Sequence, residues 1–377
     1  MNPNKILSLQ KSLSGITDTR QAQGRRYELV PVLLLCCVGL MTGYKSVKAI
    51  AEWGKNYGNK WLRRLGIKGT RSPSQPTLHR ILRQVSIEEL EVCLGNWASA
   101  VLADAENIAE ELEAVAMDGK KLRGSHRHAA EGSYLLSVMS QRLGVVLAEV
   151  AIGAGENEIT QAEQVIEKIC LEGLVLTADA LHTQTDLVKR IIEKNGDYLL
   201  VVKGNQPKLF EDIKYCFEQD RLVLDTIKEA VEIDQHGNRI EERRLRSTSI
   251  LKDYVEFPFV EQVLEIRRIV RDKKSGLERI EVGYAITSLA EEKAAPKQLL
   301  KIWREHWHIE NKLHYVRDVT FGEDLSQVRS GNVPQAMASL RNTAIGALRA
   351  SGFENIASAL RKCSAKPKIA FQAIGLI

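Results

Sequence analysis

The sequence predicts an α/β protein in which a small all-α N-terminal domain precedes a mixed sheet flanked by helices. Helix-period apolar patterns fill the first part of the chain, and short strand-forming runs punctuated by glycine follow from Ala114 onward. The 377 residues are 44% hydrophobic and 27% charged, which is ordinary globular composition. A domain averages about 100–200 residues, so we expect two domains, over residues 1–95 and 110–360.

Three helices are predicted in the N-terminal domain, over Tyr27 to Met41, over Ser46 to Tyr57 and after a capping Ser74. The longest apolar run, Leu29 to Met41, is shorter than the roughly 20 residues that span a bilayer. The start MNPNKILSLQ lacks the compact apolar stretch of a signal peptide. We therefore expect a cytoplasmic protein without membrane contact.

Positive charge is concentrated at the N-terminus. Residues 1–90 carry 15 basic and 5 acidic side chains, whereas the whole chain has a net charge of only +5. This asymmetry favours an anion-binding module, although a solvated basic surface explains it equally well. The helix after Ser74 presents Thr77, Arg80 and Arg83 as candidate contacts to DNA phosphates or bases. A helical packing domain without DNA contact is the alternative.

The second domain is predicted to begin with three strands, followed by helix, strand, helix and strand. This order predicts an antiparallel meander that gains parallel strands through helical crossovers. The predicted elements are strands at 114–118, 134–140 and 145–152, a helix at 160–171, a strand at 174–178, a helix at 183–195 and a strand at 198–202.

A β-rich insertion is predicted at about 205–295, because four alternating segments there are separated by turn sequences such as His-Gly-Asn. Two helices are then predicted, from Pro296 to Val316 and from Val333 to Ala350. The first of these carries the last acid of the candidate site.

Asp118 and Asp179 each close a predicted strand run, AVAMD and LVLTAD, so both carboxylates are expected at one edge of the sheet. At roughly 100° per residue, the helix that begins at Pro296 places Glu310 in a polar strip beside its buried apolar stripe. An acid at that boundary can reach a sheet edge.

Three converging carboxylates suit Mg²⁺ or Mn²⁺, which prefer hard oxygen ligands. Two such ions can activate a hydroxyl and stabilise the leaving oxygen of an in-line phosphoryl transfer. Candidate cations for the phosphate charge are Lys120, Lys121, Lys203 and Arg317, and His182, three residues after Asp179, is a further phosphate-facing candidate.

A zinc site is a rival interpretation, because His306, Glu310 and His314 share a face of an ideal helix at i, i+4 and i+8. It leaves both aspartates without a role, so we favour the carboxylate site. Trp303 and Trp307 are interpreted as packing residues in preference to base-stacking platforms.

Four segments resemble the H-repeat-associated, ISAs-type transposases of bacterial insertion sequences: AMDGKKLRGS, LTADALHTQ, LLVVKGNQP and HWHIENKLHYVRDVTFGEDLSQVRSGN. That group belongs to the DDE class, whose catalytic core is ribonuclease-H-like. The resemblance extends over nearly the whole chain, and its N-terminal part is similar to the family's accessory domain. It implies that Asp118, Asp179 and Glu310 are the catalytic, metal-binding triad.

The wider class often carries a tyrosine, arginine, glutamate and lysine pattern on the last helix, at positions that are Trp303, His306, Glu310 and Arg317 here. The spacing is kept while three residue types differ, and His306 therefore joins the DNA-contact candidates. The β-rich stretch before this helix also resembles an insertion that some members of the class carry.

The resemblance implies a DNA transposase that binds the ends of its element, cuts phosphodiester bonds with two Mg²⁺ or Mn²⁺ ions per site, and joins the freed 3′-hydroxyl to target DNA. The implied partners are double-stranded DNA, both terminal repeats and target, and further copies of the chain in a homodimer or larger assembly at the bacterial nucleoid. A domesticated DNA-binding repressor and a metal-dependent nuclease that does not join strands are the alternatives.

Overall fold

A computed structural model describes residues 8–106, 112–122, 134–153, 156–219 and 226–377. The chain divides into two compact units, the first taking the described parts of Met1–Glu110, Gly119–Ile169 and His308–Ile377. The second unit takes those of Glu111–Asp118 and Cys170–Trp307. The N-terminal helices thus share a unit with the C-terminal helices, a grouping that differs from the predicted domains. The predicted boundary at residue 110 lies outside the described residues.

The first unit is mainly helical, and α2 is its centre. Twelve of the 13 residues of α2 are buried, because the helix is apolar on every side and packs against both α3 and α11. None of the described helices is long and apolar enough to cross a membrane. The helices of this unit are α1 (Leu9–Leu13), α2 (Leu29–Met41), α3 (Val47–Asn56), α4 (Asn59–Arg64), α5 (Gln75–Gln84), α6 (Ile87–Glu106), α7 (Glu158–Glu167), α11 (Val333–Ala350), α12 (Ile356–Ala365) and α13 (Lys368–Ala373).

An antiparallel hairpin completes the first unit. Its strands are β2 (Tyr134–Ser140) and β3 (Val146–Ile152), with a register shift between Val138 and Met139. Helices α6 and α7 pack against β3, which covers an apolar face of the hairpin. Strand β1 (Glu113–Lys121) crosses from the second unit to the first after Asp118.

The second unit contains a mixed sheet whose described strands lie in the order β1-β4-β5-β9-β8-β7-β6. The β1, β4 and β5 strands are parallel, and the pairs from β5 onward are antiparallel. The remaining elements of the unit are β4 (Leu174–Ala178), α8 (Thr185–Glu193), β5 (Asp197–Val202), α9 (Pro207–Gln219), β6 (Lys228–His236), β7 (Arg239–Thr248), β8 (Gln262–Asp272), β9 (Glu278–Thr287) and α10 (Pro296–His306).

The four predicted strands of the β-rich segment all form, and they pair with the sheet of the second unit. Strand β9 pairs with β5, from Leu199↔Thr287 to Val202↔Tyr284, so the segment extends the sheet that carries the aspartates. Buried side chains such as Leu199 and Ala285 belong to one apolar cluster with Leu299 of α10. The prediction of a mixed α/β protein with a large mixed sheet and an N-terminal helical region is confirmed.

Helix α10 ends at His306, well before the predicted Val316. The chain continues as two π-helical segments, Ile309–His314 and Val316–Thr320. A π-helix bonds i to i+5, so the angular spacing assumed for an ideal α-helix does not hold beyond His306. The apolar stripe is buried as predicted, since Ile302, Ile309, Leu313 and Val316 all lie in the interior.

Candidate active site

Asp118 and Asp179 occupy equivalent positions on neighbouring parallel strands. The β1–β4 register ends at the pair Met117↔Ala178, and the next residue on each strand is an aspartate. Adjacent strands lie about 4.8 Å apart, so the two aspartates are neighbours along the backbone of the sheet. Strand β1 does not end at Asp118 as predicted but continues to Lys121.

The carboxylate of Asp179 is mostly exposed and lies beside one lysine. The Nζ atom of Lys203 is 3.6 Å from Asp179 Oδ1, and both side chains are more than half exposed. Exposed pairs of this kind contribute little free energy, so Asp179 is available to a ligand. Lys203 is thus placed beside the candidate site as the sequence suggested.

The turn after Asp179 is held by two side-chain amides from the segment LLVVKGNQP. Asn205 Nδ2 donates to the carbonyl of Ala180 at 2.6 Å, and Gln206 Nε2 donates to that of Thr183 at 2.8 Å. Sequence reasoning missed these residues, although adjacent amides next to a strand-end lysine were a usable signal. They fix the backbone that carries one candidate ligand.

His182 does not face solvent as a phosphate contact would. Its side chain is 2% exposed, because the turn Ala180–His182 directs it into the second unit. The prediction of a phosphate-facing histidine at this position is therefore wrong for this conformation.

His306 is held by a neighbouring threonine that the sequence did not single out. Thr177 Oγ1 lies 2.8 Å from His306 Nδ1 and donates its proton to the carbonyl of Val115 at 3.2 Å. Burial lowers the pKa of His306 to about 4, so at pH 7 the ring is neutral and adds no positive charge.

The two tryptophans behave differently. Trp303 packs on the apolar cluster of the second unit, and a Cβ at Gly283 would lie 3.4 Å from its ring. Trp307 is 63% exposed, contrary to the expected packing role.

Glu310 is the second residue of the first π-helical segment and is ionised at neutral pH. Its Oε1 lies 3.4 Å from Nδ1 of the buried His314, and a hydrogen bond from His314 lowers the pKa of this carboxyl. The zinc interpretation loses its basis, because His306 is bonded to Thr177 and the common helical face requires ideal α-helical spacing.

Lys120 is buried in an ion pair and is not a free phosphate ligand. The side chain is 8% exposed, and its Nζ lies 2.5 Å from Asp318 Oδ2. Lys121 is exposed, as its predicted role requires. Gly119 lies between Asp118 and Lys120 and packs closely against Tyr134. A Cβ atom at this glycine would lie 2.2 Å from the tyrosine ring.

Arg317 is also buried, with 0% of its side chain exposed, so its predicted contact with phosphate is wrong for this conformation. Its Nε donates to Glu323 at 2.7 Å and its Nη1 to Glu149 at 3.2 Å. Arg341 donates to the other oxygen of Glu323 at 2.9 Å. Arg317 therefore belongs to a structural ion-pair network in the first unit.

The N-terminal candidates all lie on α5, which begins after Ser74 as predicted. The Ser74 hydroxyl contacts that of Thr77 at 3.0 Å and does not cap the backbone. Arg80 and Arg83 are exposed, and Thr77 is half-buried. These three side chains are accessible to a ligand.

Each unit carries carboxylates of a kind that a divalent cation binds. Asp118 and Asp179 lie at neighbouring positions of the sheet in the second unit, and Glu310 of the first unit is ionised. Oxygen ligands of this kind suit Mg²⁺ and Mn²⁺ and do not suit softer metals. Carboxylates of this kind are what a protein that uses divalent metal for phosphoryl transfer requires.

Comparison with known proteins identifies the family. Residues 110–346 match the family described as Transposase DDE domain, and residues 10–98 match the one described as DDE_Tnp_1-associated. The first match covers more than half of the chain, so the chain belongs to the DDE transposase family. It is a DNA transposase, and its family uses divalent metal and acts on DNA.

Several relatives are similar over nearly their full length. YbfL of Escherichia coli K12 is 29% identical over 357 residues, covering 91% of both chains. The transposase-named YncI of E. coli O157:H7 is 29% identical over 91% of this chain and 88% of its own. The H repeat-associated transposase-named YhhI of E. coli K12 is 27% identical over 91% of each. The H-repeat-associated resemblance of the sequence motifs is thereby confirmed.

Among solved structures, the chain resembles a piggyBac transposase synaptic complex with hairpin DNA. The TM-score is 0.40 with 11% identity, over 99% of this chain and 78% of that one.

Proposed function

We propose that this transposase binds the terminal repeats of an insertion element, cuts phosphodiester bonds and joins the freed 3′-hydroxyl to target DNA, with Asp118, Asp179 and Glu310 as its catalytic metal ligands. The β1–β4 register carries this proposal, because it aligns two aspartates on adjacent strands of one sheet. The lowered pKa of Glu310 supports a third negative ligand.

Two Mg²⁺ or Mn²⁺ ions held by these carboxylates would activate the attacking hydroxyl and stabilise the leaving oxygen. The chain itself contributes positive charge through the exposed Lys203 and Lys121, which can pair with phosphate oxygens. Neutral His306 offers a hydrogen-bonding group held in one orientation by Thr177.

The proposed core is ribonuclease-H-like, since three strands, a helix, a strand, a helix and a strand follow one another before the segment that carries Glu310. Residues 110–360 would carry catalysis and residues 1–95 would bind double-stranded DNA, with Thr77, Arg80 and Arg83 as contacts. Two element ends must be joined to one target, so we propose a homodimer or larger assembly on DNA in the bacterial cytoplasm.

The test is cleavage of supercoiled DNA carrying the element ends, in Mg²⁺ or Mn²⁺, by the wild type and by Asp118→Asn, Asp179→Asn and Glu310→Gln. We expect all three variants to bind DNA and to lose cleavage. Asp186→Asn is the matched control, because Asp186 is an exposed acid of the second unit outside the candidate site.

Each outcome has a distinct meaning. Joined products from the wild type support a transposase, and cutting without joining supports the nuclease alternative. Binding without cleavage by every protein supports the repressor alternative. Cleavage by all three triad variants at the rate of the control contradicts the proposed triad.

A further inference from the structure

A large cleft in the first unit is lined by three separate segments of the N-terminal region. Its volume is about 940 Å³, and it lies between residues 19–27, residues 71–74 and one face of α5. No aspartate or glutamate is among its lining residues. The polar side chains that matter for a ligand are Arg26, Arg71, Ser74, Thr77, Arg80 and Gln84.

The arginines of this N-terminal cleft divide into a structural one and three others. Arg20 pairs with Asp18 at 2.6 Å and donates to the carbonyl of Tyr27 at 2.8 Å, so it stabilises the loop. Arg26, Arg71 and Arg80 are exposed, and within the described part of the chain no ion pair is recorded for them. Their positive charges are therefore concentrated on one concave surface.

The cleft uses one specific face of α5. Thr77, Arg80 and Gln84 stand at i, i+3 and i+7 and line it together. Arg83 is on another face of the helix and packs closely against Gly331. A Cβ atom at that glycine would lie 2.7 Å from the Cγ atom of Arg83. The two arginines of the helix are thus in different surroundings.

We propose that the N-terminal cleft binds the sugar-phosphate backbone of duplex DNA and does not read bases. The inference rests on the proposed function, which supplies DNA as the polyanion. A helix that reads bases must protrude into a groove, whereas this face of α5 lines a depression that a phosphodiester ridge can enter. A guanidinium group can donate two hydrogen bonds to the oxygens of one phosphate. Hydroxyl and amide side chains such as Thr77 and Gln84 can donate further hydrogen bonds to the same backbone.

The experiment measures DNA affinity of the full chain against salt concentration by fluorescence anisotropy, with two duplexes, an element end and a scrambled sequence of equal length. Arg71→Ala and Arg80→Ala are expected to lower the slope of log K against log salt by about one each, equally on both duplexes. Arg64→Ala is the matched control, an exposed arginine of α4 that does not line the cleft. Its slope should equal that of the wild type.

The proposal is overturned if both cleft variants keep the wild-type slope, or if Arg64→Ala lowers the slope as much as they do. It is also overturned if the slope falls only on the element-end duplex, because that result indicates base reading. A thermal melt of each variant verifies folding. Failure of this proposal is distinguishable from failure of the proposed function. If the cleft variants have wild-type salt slopes while the wild type cleaves DNA in a metal-dependent reaction, only the proposed role of the cleft is refuted. Reduced slopes without cleavage by the wild type support the cleft and refute the catalytic proposal.

Discussion

Glu323 bridges Arg317 and Arg341 inside the first unit. One carboxylate oxygen accepts from Arg317 Nε at 2.7 Å and the other from Arg341 Nη1 at 2.9 Å. Burial alone would raise the pKa of Glu323, but the two arginines hold it below its ordinary value. The segment that follows Glu310 is thereby tied to α11.

Glu323→Gln is expected to destabilise the protein strongly. The substitution leaves two buried arginines with a neutral partner, and breaking a buried pair typically costs about 3–5 kcal/mol. Urea unfolding measures the decrease in the free energy of unfolding, and Glu354→Gln is the control at an exposed glutamate. A loss below about 1 kcal/mol, the usual value of a surface pair, would show that Glu323 is not the bridge described.

Arg317→Gln separates a structural role from DNA contact. We expect a lower Tm, because buried Glu149 and Glu323 lose their shared cation. The salt dependence of DNA binding, measured well below the Tm, should not change. A normal Tm with a salt slope reduced by about one would instead assign Arg317 to phosphate binding.

Stability should depend on pH through Glu91. Burial raises the pKa of Glu91 to about 7 from an ordinary value of 4.5, although Lys168 lies 2.9 Å away. Between these two values the folded protein binds more protons than the unfolded chain. The free energy of unfolding therefore falls as pH rises through this window, by up to about 3 kcal/mol from this group.

Glu91→Gln should remove that slope, so the variant gains stability over the wild type as pH rises from 5 to 8. Glu88→Gln, an exposed site on the same helix, should leave the slope intact. Urea unfolding at a series of pH values provides the comparison. Parallel pH profiles for the wild type and Glu91→Gln would disprove the assignment.

Thr177→Val should lower the free energy of unfolding by about 1–3 kcal/mol. The substitution keeps the shape of the side chain but leaves polar groups of His306 and Val115 without their hydroxyl partner. Thermal melts compare it with Thr185→Val at an exposed position of α8. Equal melting temperatures for the two variants would mean that the hydroxyl does not hold His306.

Much of the fold was predictable because local patterns agreed with tertiary structure. Strands Tyr134–Ser140 and Leu174–Ala178 and the helix Val333–Ala350 were predicted with their observed bounds. The pairing of β9 with β5 was not predictable, since it joins residues such as Leu199 and Thr287 that are far apart in sequence. The π-helical segments carry no proline or glycine that would mark the change of helix type.

The neighbouring strand positions of the two aspartates were predictable, and so was the exposure of Lys121 and Lys203, whereas the burial of Lys120 and Arg317 was not. Asp118 and Asp179 followed apolar strand runs, and the register aligned them. The sequence predicts Lys120 and Arg317 as phosphate ligands because a single sequence does not show that Asp318 and Glu149 neutralise them in the interior. Burial of a charge depends on such distant partners.

The central claim is that the aligned aspartates bind the catalytic metals, and a cysteine substitution tests it most directly. A thiolate is a poor ligand for Mg²⁺ and a better one for Mn²⁺. Asp118→Cys and Asp179→Cys should therefore lose DNA cleavage in Mg²⁺ and recover part of it in Mn²⁺, while Asp186→Cys cleaves like the wild type in both. Wild-type cleavage in Mg²⁺ by Asp118→Cys and Asp179→Cys would contradict the account.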